Sequence, residues 1–307
     1  MIKRTKAVLS SLLLTVSLGA VETTLTNISF IQDDNGNLNP NIFIPIYYGE
    51  TNQFYSAVGY TSGTSNETGI LEGIANSKTS LVSNRRDLTL NYLTYVLPID
   101  SFSLSFGLLS EFSNVKNNDF AYFETATAGV YAVVDNQVEL DIWSHRIELQ
   151  ALIPMSKYVN SRFTFNVSPY TTINSKQTTN VKPLVNETGQ SSSSTSQDIS
   201  YAGVFELQTD MGSFIDFGFI AAYSNEPLKY KSVSLATSGT SFEEVDVDNS
   251  EVTTKYLVKV IIKKNILGGL NPSIGYGVEN LDVKNNITGD KTSTSTTIFT
   301  IGVEKRF

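Results

Sequence analysis

The sequence contains no cysteine, only one histidine, and fewer basic than acidic residues. The lack of cysteine excludes disulfides, thiol catalysis and thiolate metal sites. The 22 lysines and arginines stand against 30 acidic residues, which gives a formal net charge of −8 and leaves no basic stripe for nucleic acid. Two acidic clusters, 33–37 and 246–251, lack EF-hand spacing and are interpreted as solvated turns. We therefore expect no nucleic-acid partner, no cofactor and no metal.

Long apolar runs are also missing. The longest mostly apolar segment, 7–18, is too short to span a bilayer. It follows Lys3, Arg4 and Lys6 and precedes Gly19 and Ala20, which is the three-part layout of a secretory signal peptide. The sequence thus predicts a signal peptide over 1–20, cleaved after Gly19 or Ala20, and a single domain over 21–307.

Apolar and polar residues alternate in segment after segment of that domain. In one of them Phe102, Leu104 and Phe106 are interleaved with Ser103 and Ser105. A period of two predicts β-strands with one apolar and one polar face, and it argues against helices. Twelve strands are predicted, over 22–31, 41–48, 53–62, 79–97, 100–113, 138–153, 160–176, 197–210, 213–225, 252–264, 269–283 and 294–307.

The connections between these strands alternate between short and long. The short ones lie at 49–52, 98–100, 154–159, 210–212 and 265–268, and the long ones at 32–40, 63–78, 114–137, 177–196, 226–251 and 284–293. This alternation, with the strand pattern, resembles bacterial outer-membrane β-barrel proteins as a class. The resemblance implies an all-β fold, a single antiparallel transmembrane barrel of twelve strands, with short periplasmic turns and long outer loops. Ten or fourteen strands, or a soluble β-sandwich, remain as alternatives.

The end of the chain extends the resemblance. Phe299, Ile301, Val303 and the terminal Phe307 are similar to the signal read by the barrel-assembly machinery, although Lys305 departs from that pattern. The resemblance implies localisation in the bacterial outer membrane, lipid contact, and insertion by that machinery.

Charged residues on the predicted inner face carry the functional interpretation. Lys255, Lys259 and Lys263 recur every fourth residue on one strand. A lysine or arginine facing lipid near the midplane costs about 2–4 kcal/mol, so such residues are expected to face the interior. The other candidate pore-lining residues are Asp216, Glu206, Glu279 and Arg162. Glu139, Asp141 and Glu304 are expected to point inward as well.

Two functions fit this charged interior. One is a passive diffusion channel, porin-like, for small hydrophilic solutes or ions, in which the lysines tune selectivity. The other is a structural or surface-contact barrel whose charges pair with one another and fill the interior. Water around the lysines favours the channel, and pairing with Asp216 and Glu279 favours the filled barrel.

A third alternative is a barrel hydrolase around His145. Its sequence neighbour Ser144 points to the opposite face of a strand, so the two cannot pair without a bulge. A serine or carboxylate within hydrogen-bond reach of His145 would favour this alternative. Because the sequence offers no such partner on the same strand, we predict no enzyme activity and no catalytic residue. The apolar segment 120–134 has two interpretations, a segment that folds into the lumen or caps the mouth of the barrel, or a hairpin that extends above the membrane.

Overall fold

The computed structural model describes residues 27–32, 38–48, 54–69, 77–99, 101–124, 131–169, 171–182, 191–196, 199–209, 214–235, 242–263 and 270–305. The predicted signal peptide and Phe307 lie outside the described residues. Within these ranges no helix is long and apolar enough to span a membrane.

The described residues form strands almost throughout. Their bounds are β1 Asn27–Gln32, β2 Leu38–Tyr48, β3 Phe54–Gly69, β4 Lys78–Ile99, β5 Phe102–Glu124, β6 Tyr131–Ser156, β7 Val159–Ser168, β8 Thr171–Lys182, β9 Ser191–Ser196, β10 Ser200–Thr209, β11 Ile215–Leu235, β12 Phe242–Ile262, β13 Leu270–Asn285 and β14 Lys291–Lys305. The segment predicted as one strand over 160–176 is divided between β7 and β8, and β9 lies in the predicted loop 177–196. Every other predicted strand corresponds to a single observed one.

The sheet closes on itself. β1 pairs antiparallel with β2 on one side and with β14 on the other, where Phe30 lies opposite Ile301. β7 pairs with both β6 and β10 in the ring, and the additional strands β8 and β9 extend the wall beyond the end of β7, paired with β6 and in contact with β11. The result is a closed antiparallel barrel of twelve strands, as predicted.

The alternation in the sequence corresponds to the two faces of this wall. On β12, Tyr256 and Val258 are about half exposed, whereas Lys255 and Lys259 are buried. The same holds on β5, where Phe106 and Leu108 point outward and Ser105 points inward. The outward apolar side chains of neighbouring strands form a continuous apolar belt, which suits contact with lipid hydrocarbon.

Several strands continue well beyond the apolar belt. β5 and β6 pair as one hairpin up to Glu124 and Tyr131, and β11 and β12 pair up to Leu235 and Phe242. For segment 120–134, the described residues therefore follow the hairpin alternative, and 125–130 lie outside them. The strand ends were predicted too short because alternation weakens once water replaces lipid outside the wall, while backbone pairing continues.

Above the belt, on one side of the barrel, some inward positions are apolar. Six inward side chains form a buried apolar group, here called the mouth cluster: Val115, Val138, Leu140, Ile173, Leu228 and Tyr230. Their outward neighbours along the strands are polar, such as Lys116 beside Val115 and Asp141 beside Leu140. Buried polar side chains, including Asn117, Asn136 and Gln177, lie inward beside this cluster, and burial of the apolar side chains is favoured by the hydrophobic effect.

Glu139 and Asp141 were expected to point inward, and that expectation is wrong. Both face outward in this upper part, where Glu139 lies 2.8 Å from the Lys116 ammonium and Asp141 accepts a hydrogen bond from Asn114. Hydrogen bonding to Lys116 and Asn114 lowers the pKa of Glu139 below its ordinary value. Their positions lie above the apolar belt, so the cost of placing charge against lipid does not apply to them.

Candidate functional site

The interior of the barrel at the level of the apolar belt is polar and heavily charged. Buried ionisable side chains of both signs face it from eight strands of the wall. They include Asp87, Glu111, Arg146, Glu148, Arg162, Glu206, Asp216, Lys255, Lys259 and Glu279. This interior is the candidate functional site.

All seven predicted pore-lining residues lie on inward positions of the wall. Lys263, which directly follows β12, forms an ion pair with Asp216 on β11, with Nζ and Oδ1 3.0 Å apart. Asp216 is fully buried and Lys263 is partly accessible. Arg162 and Glu206, which are opposite each other on β7 and β10, form a second buried ion pair.

The remaining three predicted residues lie higher on β12 and β13. Lys255 is directly opposite Glu279 in the register of these strands. Lys259 lies between Gly218 on β11 and Gly275 on β13, both of which lack a side chain. A Cβ at Gly275 would come within 3.2 Å of Lys259 Cγ, so the glycine leaves space for the lysine stem.

An ion pair that crosses the interior was not predicted. Arg146 on β6 contacts Glu111 Oε2 at 2.7 Å and Glu226 Oε1 at 3.2 Å. β6 and β11 are separated by β7 and β10 in the ring, so the second contact joins walls that are not adjacent. The position of Arg146 follows the same period-two signal that identified the lysines, but nothing in the sequence indicates that its partner lies on β11.

The mouth cluster lies directly above this charged layer. Leu228 follows Glu226 by two residues on β11, and Val115 follows Glu111 by four residues on β5. On the side of the barrel formed by β5, β6, β8 and β11, buried apolar side chains therefore follow the charged layer along the barrel axis.

His145 has a serine partner, but a different one from its sequence neighbour. Ser144 is buried and faces inward, whereas His145 is exposed on the lipid-facing side, where its Nδ1 lies 2.5 Å from Ser110 Oγ. Ser110 is paired with Leu90 on one side and His145 on the other. The backbone N–H groups around Ser110 belong to these two ladders, and an oxyanion hole requires free, converging donors. The serine partner that would favour a hydrolase is thus present, whereas the backbone donors that an oxyanion hole needs are engaged in the ladders.

The part of the chain that the structure describes contains no group of three or more His, Asp or Glu side chains arranged to hold a metal ion. On β14, Phe299, Ile301 and Val303 occupy outward positions beside β13, as the predicted assembly signal requires of a lipid-facing strand. Its recognition by the assembly machinery stays a prediction.

Comparison with known proteins gives structural likeness only. No protein-family model and no curated protein sequence matches the chain. The translocator domain of the autotransporter NalP from Neisseria meningitidis is similar in structure, with a TM-score of 0.50, 12% identity, and coverage of 99% of this chain and 94% of that one.

Two further solved structures are similar over most of this chain. The KdgM porin in complex with disordered oligogalacturonate matches with a TM-score of 0.38, 9% identity, and coverage of 92% of this chain and 99% of that one. A Pseudomonas aeruginosa FadL homologue matches with a TM-score of 0.41, 10% identity, and coverage of 92% and 89%. The closed ring of twelve strands and the likeness to the NalP translocator domain show that the chain has the fold of an outer-membrane β-barrel protein.

Proposed function

We propose that this protein is an outer-membrane channel for small hydrophilic solutes or ions. The observation that carries the proposal is the distribution of charge in the wall. Charged side chains of both signs face the interior at the level of the apolar belt, while the outer face at that level is apolar. Such an interior offers water and ions a polar environment through the hydrophobic layer of the membrane.

The mouth cluster is the barrier in this proposal. Its side chains meet inside the barrel above the charged layer, and apolar constrictions block ion passage by excluding water. Because the cluster is built from the extended hairpins and not from the belt strands alone, hairpin movement would open it without breaking the wall at membrane level. The structure then corresponds to a closed state.

Lys255 and Lys259 are the selectivity residues of the proposal. Both lie on one strand, and the acidic Glu279 and Glu206 lie on other strands of the interior. A row of positive charge facing acidic walls produces a transverse field, which favours some charged solutes over others. Insertion would depend on the assembly machinery recognising Phe299, Ile301, Val303 and Phe307.

The second candidate function is a filled structural barrel whose loops contact ligands or other surfaces. It is favoured by the ion pairs Lys263–Asp216 and Arg162–Glu206, which use interior charges to bind one another. A fully paired interior is a stabilising filling and needs no path for solutes.

Conductance of the refolded protein in planar bilayers distinguishes the two functions. The test compares wild-type protein with the double variant Leu140→Ser, Leu228→Ser, which weakens the mouth cluster, and with Lys255→Gln, Lys259→Gln. The channel proposal predicts rare or small openings in the wild type, a clear rise in open time in the mouth variant, and altered anion-to-cation preference in the lysine variant.

The matched control for the lysine variant is Lys284→Gln, Lys291→Gln, which removes two exposed positive charges at the outer hairpin of β13 and β14. Its ion preference should equal that of the wild type. If the wild type and the mouth variant are both silent although fully inserted and resistant to heat unfolding, the channel is excluded and the filled barrel is supported.

A further inference from the structure

A groove runs across the outward face of the barrel, within the apolar belt. Its volume is about 890 Å³, and its lining comes from seven strands, β4 to β7 and β10 to β12. The side chains that line it are aromatic and aliphatic, with few polar atoms. Its large lining side chains, such as Phe163, Phe205 and Tyr256, are on the lipid-facing side, and inward-facing residues such as Ser105 and Thr164 border it within the wall.

Small residues among large rings form the floor of this groove. One row of residues runs across five neighbouring strands, from β6 through β7, β10 and β11 to β12, and each residue pairs with the next. The row consists of Ala151, Phe163, Phe205, Ala221 and Tyr256. A second row, two residues further from the turn between β6 and β7, consists of Leu149, Phe165, Gly203 and Tyr223, which are paired in the same way. A Cβ added at Gly203 would meet no atom closer than 4.0 Å, so the space above this glycine is open.

A positive charge lies below the groove, at the periplasmic end of two of its strands. Lys157 is exposed in the short turn between β6 and β7, with its Nζ 5.5 Å from the centre of the Tyr158 ring. Ala151 and Phe163 each stand six residues from Lys157. That spacing is about 20 Å along the strands and, with their tilt, about 15 Å of depth. One leaflet of the hydrocarbon core is also about 15 Å thick.

We propose that the groove and Lys157 together bind one phospholipid of the periplasmic leaflet. Its acyl chain lies in the groove between the aromatic rings, above Gly203 and Ala221, and its phosphate contacts the Lys157 ammonium. The groove is continuous with the apolar belt, so the chain enters from the bilayer without leaving hydrocarbon. A lipid whose phosphate contacts Lys157 at the periplasmic turn belongs to the periplasmic leaflet, and its acyl chain reaches the groove about one leaflet thickness away. The proposal is independent of whether the barrel conducts.

Tryptophan fluorescence tests this proposal, because Trp143 is the only tryptophan and lies outside the groove. The groove reporter combines Trp143→Phe with Phe165→Trp. The control reporter combines Trp143→Phe with Val58→Trp, an outward position on β3 that does not line the groove. Both are refolded into phosphatidylcholine vesicles containing brominated phosphatidylglycerol, which quenches tryptophan on contact.

The proposal predicts that the groove reporter prefers the brominated anionic lipid about fivefold over phosphatidylcholine, as one lysine near the surface allows. Lys157→Gln should remove this preference and Gly203→Leu should reduce quenching, whereas Lys291→Gln should change neither. Equal quenching of the two reporters, or no effect of Lys157→Gln, would overturn the proposal. Displacement of the quencher by lipid A alone would also overturn it, since the occupant would then come from the outer leaflet.

Discussion

Arg146 on β6 and Glu226 on β11 lie 3.2 Å apart, although β7 and β10 separate their strands in the wall. The same guanidinium contacts Glu111 on β5 at 2.7 Å. One arginine therefore holds together three strands around the interior, at the boundary between the charged layer and the mouth cluster. It links the stability of the barrel to the state of its interior.

Replacement of this arginine should be strongly destabilising. Arg146→Gln leaves the buried Glu111 carboxylate without its cation, and the loss of one partner of a buried ion pair costs about 3–5 kcal/mol. The free energy of unfolding, measured by urea titration in lipid vesicles, should fall by that amount. Arg86→Gln is the matched control, since Arg86 is exposed, and a similar loss in both variants would contradict the ion-pair account.

The seam between β1 and β14 should be sensitive to side-chain volume. A Cβ at Gly302 would lie 2.5 Å from the Ile28 carbonyl oxygen and 2.7 Å from Ser29 Cα, so Gly302→Ala forces the two strands apart. We expect a loss of about 1–3 kcal/mol in unfolding free energy. Gly203→Ala, in open space, should have little effect, and equal stability of both variants would argue against the close seam.

Closure of the ring can be tested by a disulfide, because the chain has no cysteine of its own. Phe30 and Ile301 are directly opposite across the seam, at a Cα separation of about 4.5–5.5 Å for antiparallel partners. Phe30→Cys, Ile301→Cys should form a disulfide on mild oxidation, detected by a gel shift. Phe30→Cys, Ile274→Cys places the thiols two strands apart and should remain reduced, whereas equal cross-linking would contradict the register.

The mouth cluster should stabilise the extended hairpins more than the belt. Ile173 is fully buried in this cluster, and truncation of a buried isoleucine to alanine costs about 2–5 kcal/mol. Ile173→Ala should therefore increase cleavage of the outer hairpins by added protease, while the belt strands stay protected. Phe120→Ala, at an exposed position in the upper part of β5, is the comparison and should leave cleavage unchanged. Unchanged cleavage in both variants would show that the cluster does not hold the hairpins.

Much of the fold follows from the sequence because lipid outside and polar groups inside impose alternation on each strand. That constraint identified twelve strands and the inward positions of Lys255, Lys259 and Asp216. Alternation no longer identifies strands or inward positions beyond the apolar belt. Strands continue beyond the belt where alternation no longer marks them, and Glu139 was assigned inward by an energetic argument that holds only within the bilayer.

The partners of the interior residues were less accessible to prediction. Lys255 and Glu279 lie on neighbouring strands, so the register could pair them once the strands were known. The contact from Arg146 to Glu226 depends on how the barrel closes across its interior, and the contact from His145 to Ser110 depends on the register of β5 with β6. The periodicity of a single strand does not indicate which residue of another strand lies within contact distance, so neither of these two contacts could be predicted.

The most direct test of the proposed channel is water access to Lys259 in the inserted barrel. Lys259→Cys is compared with Val258→Cys, which faces lipid, and with Thr288→Cys, which is exposed in the outer hairpin, using a charged methanethiosulfonate reagent. The channel predicts modification at position 259, slower than at position 288 and accelerated by Leu140→Ser, Leu228→Ser, with no reaction at position 258. Complete protection of position 259 in both backgrounds, with rapid reaction at position 288, would contradict the channel and leave the filled barrel.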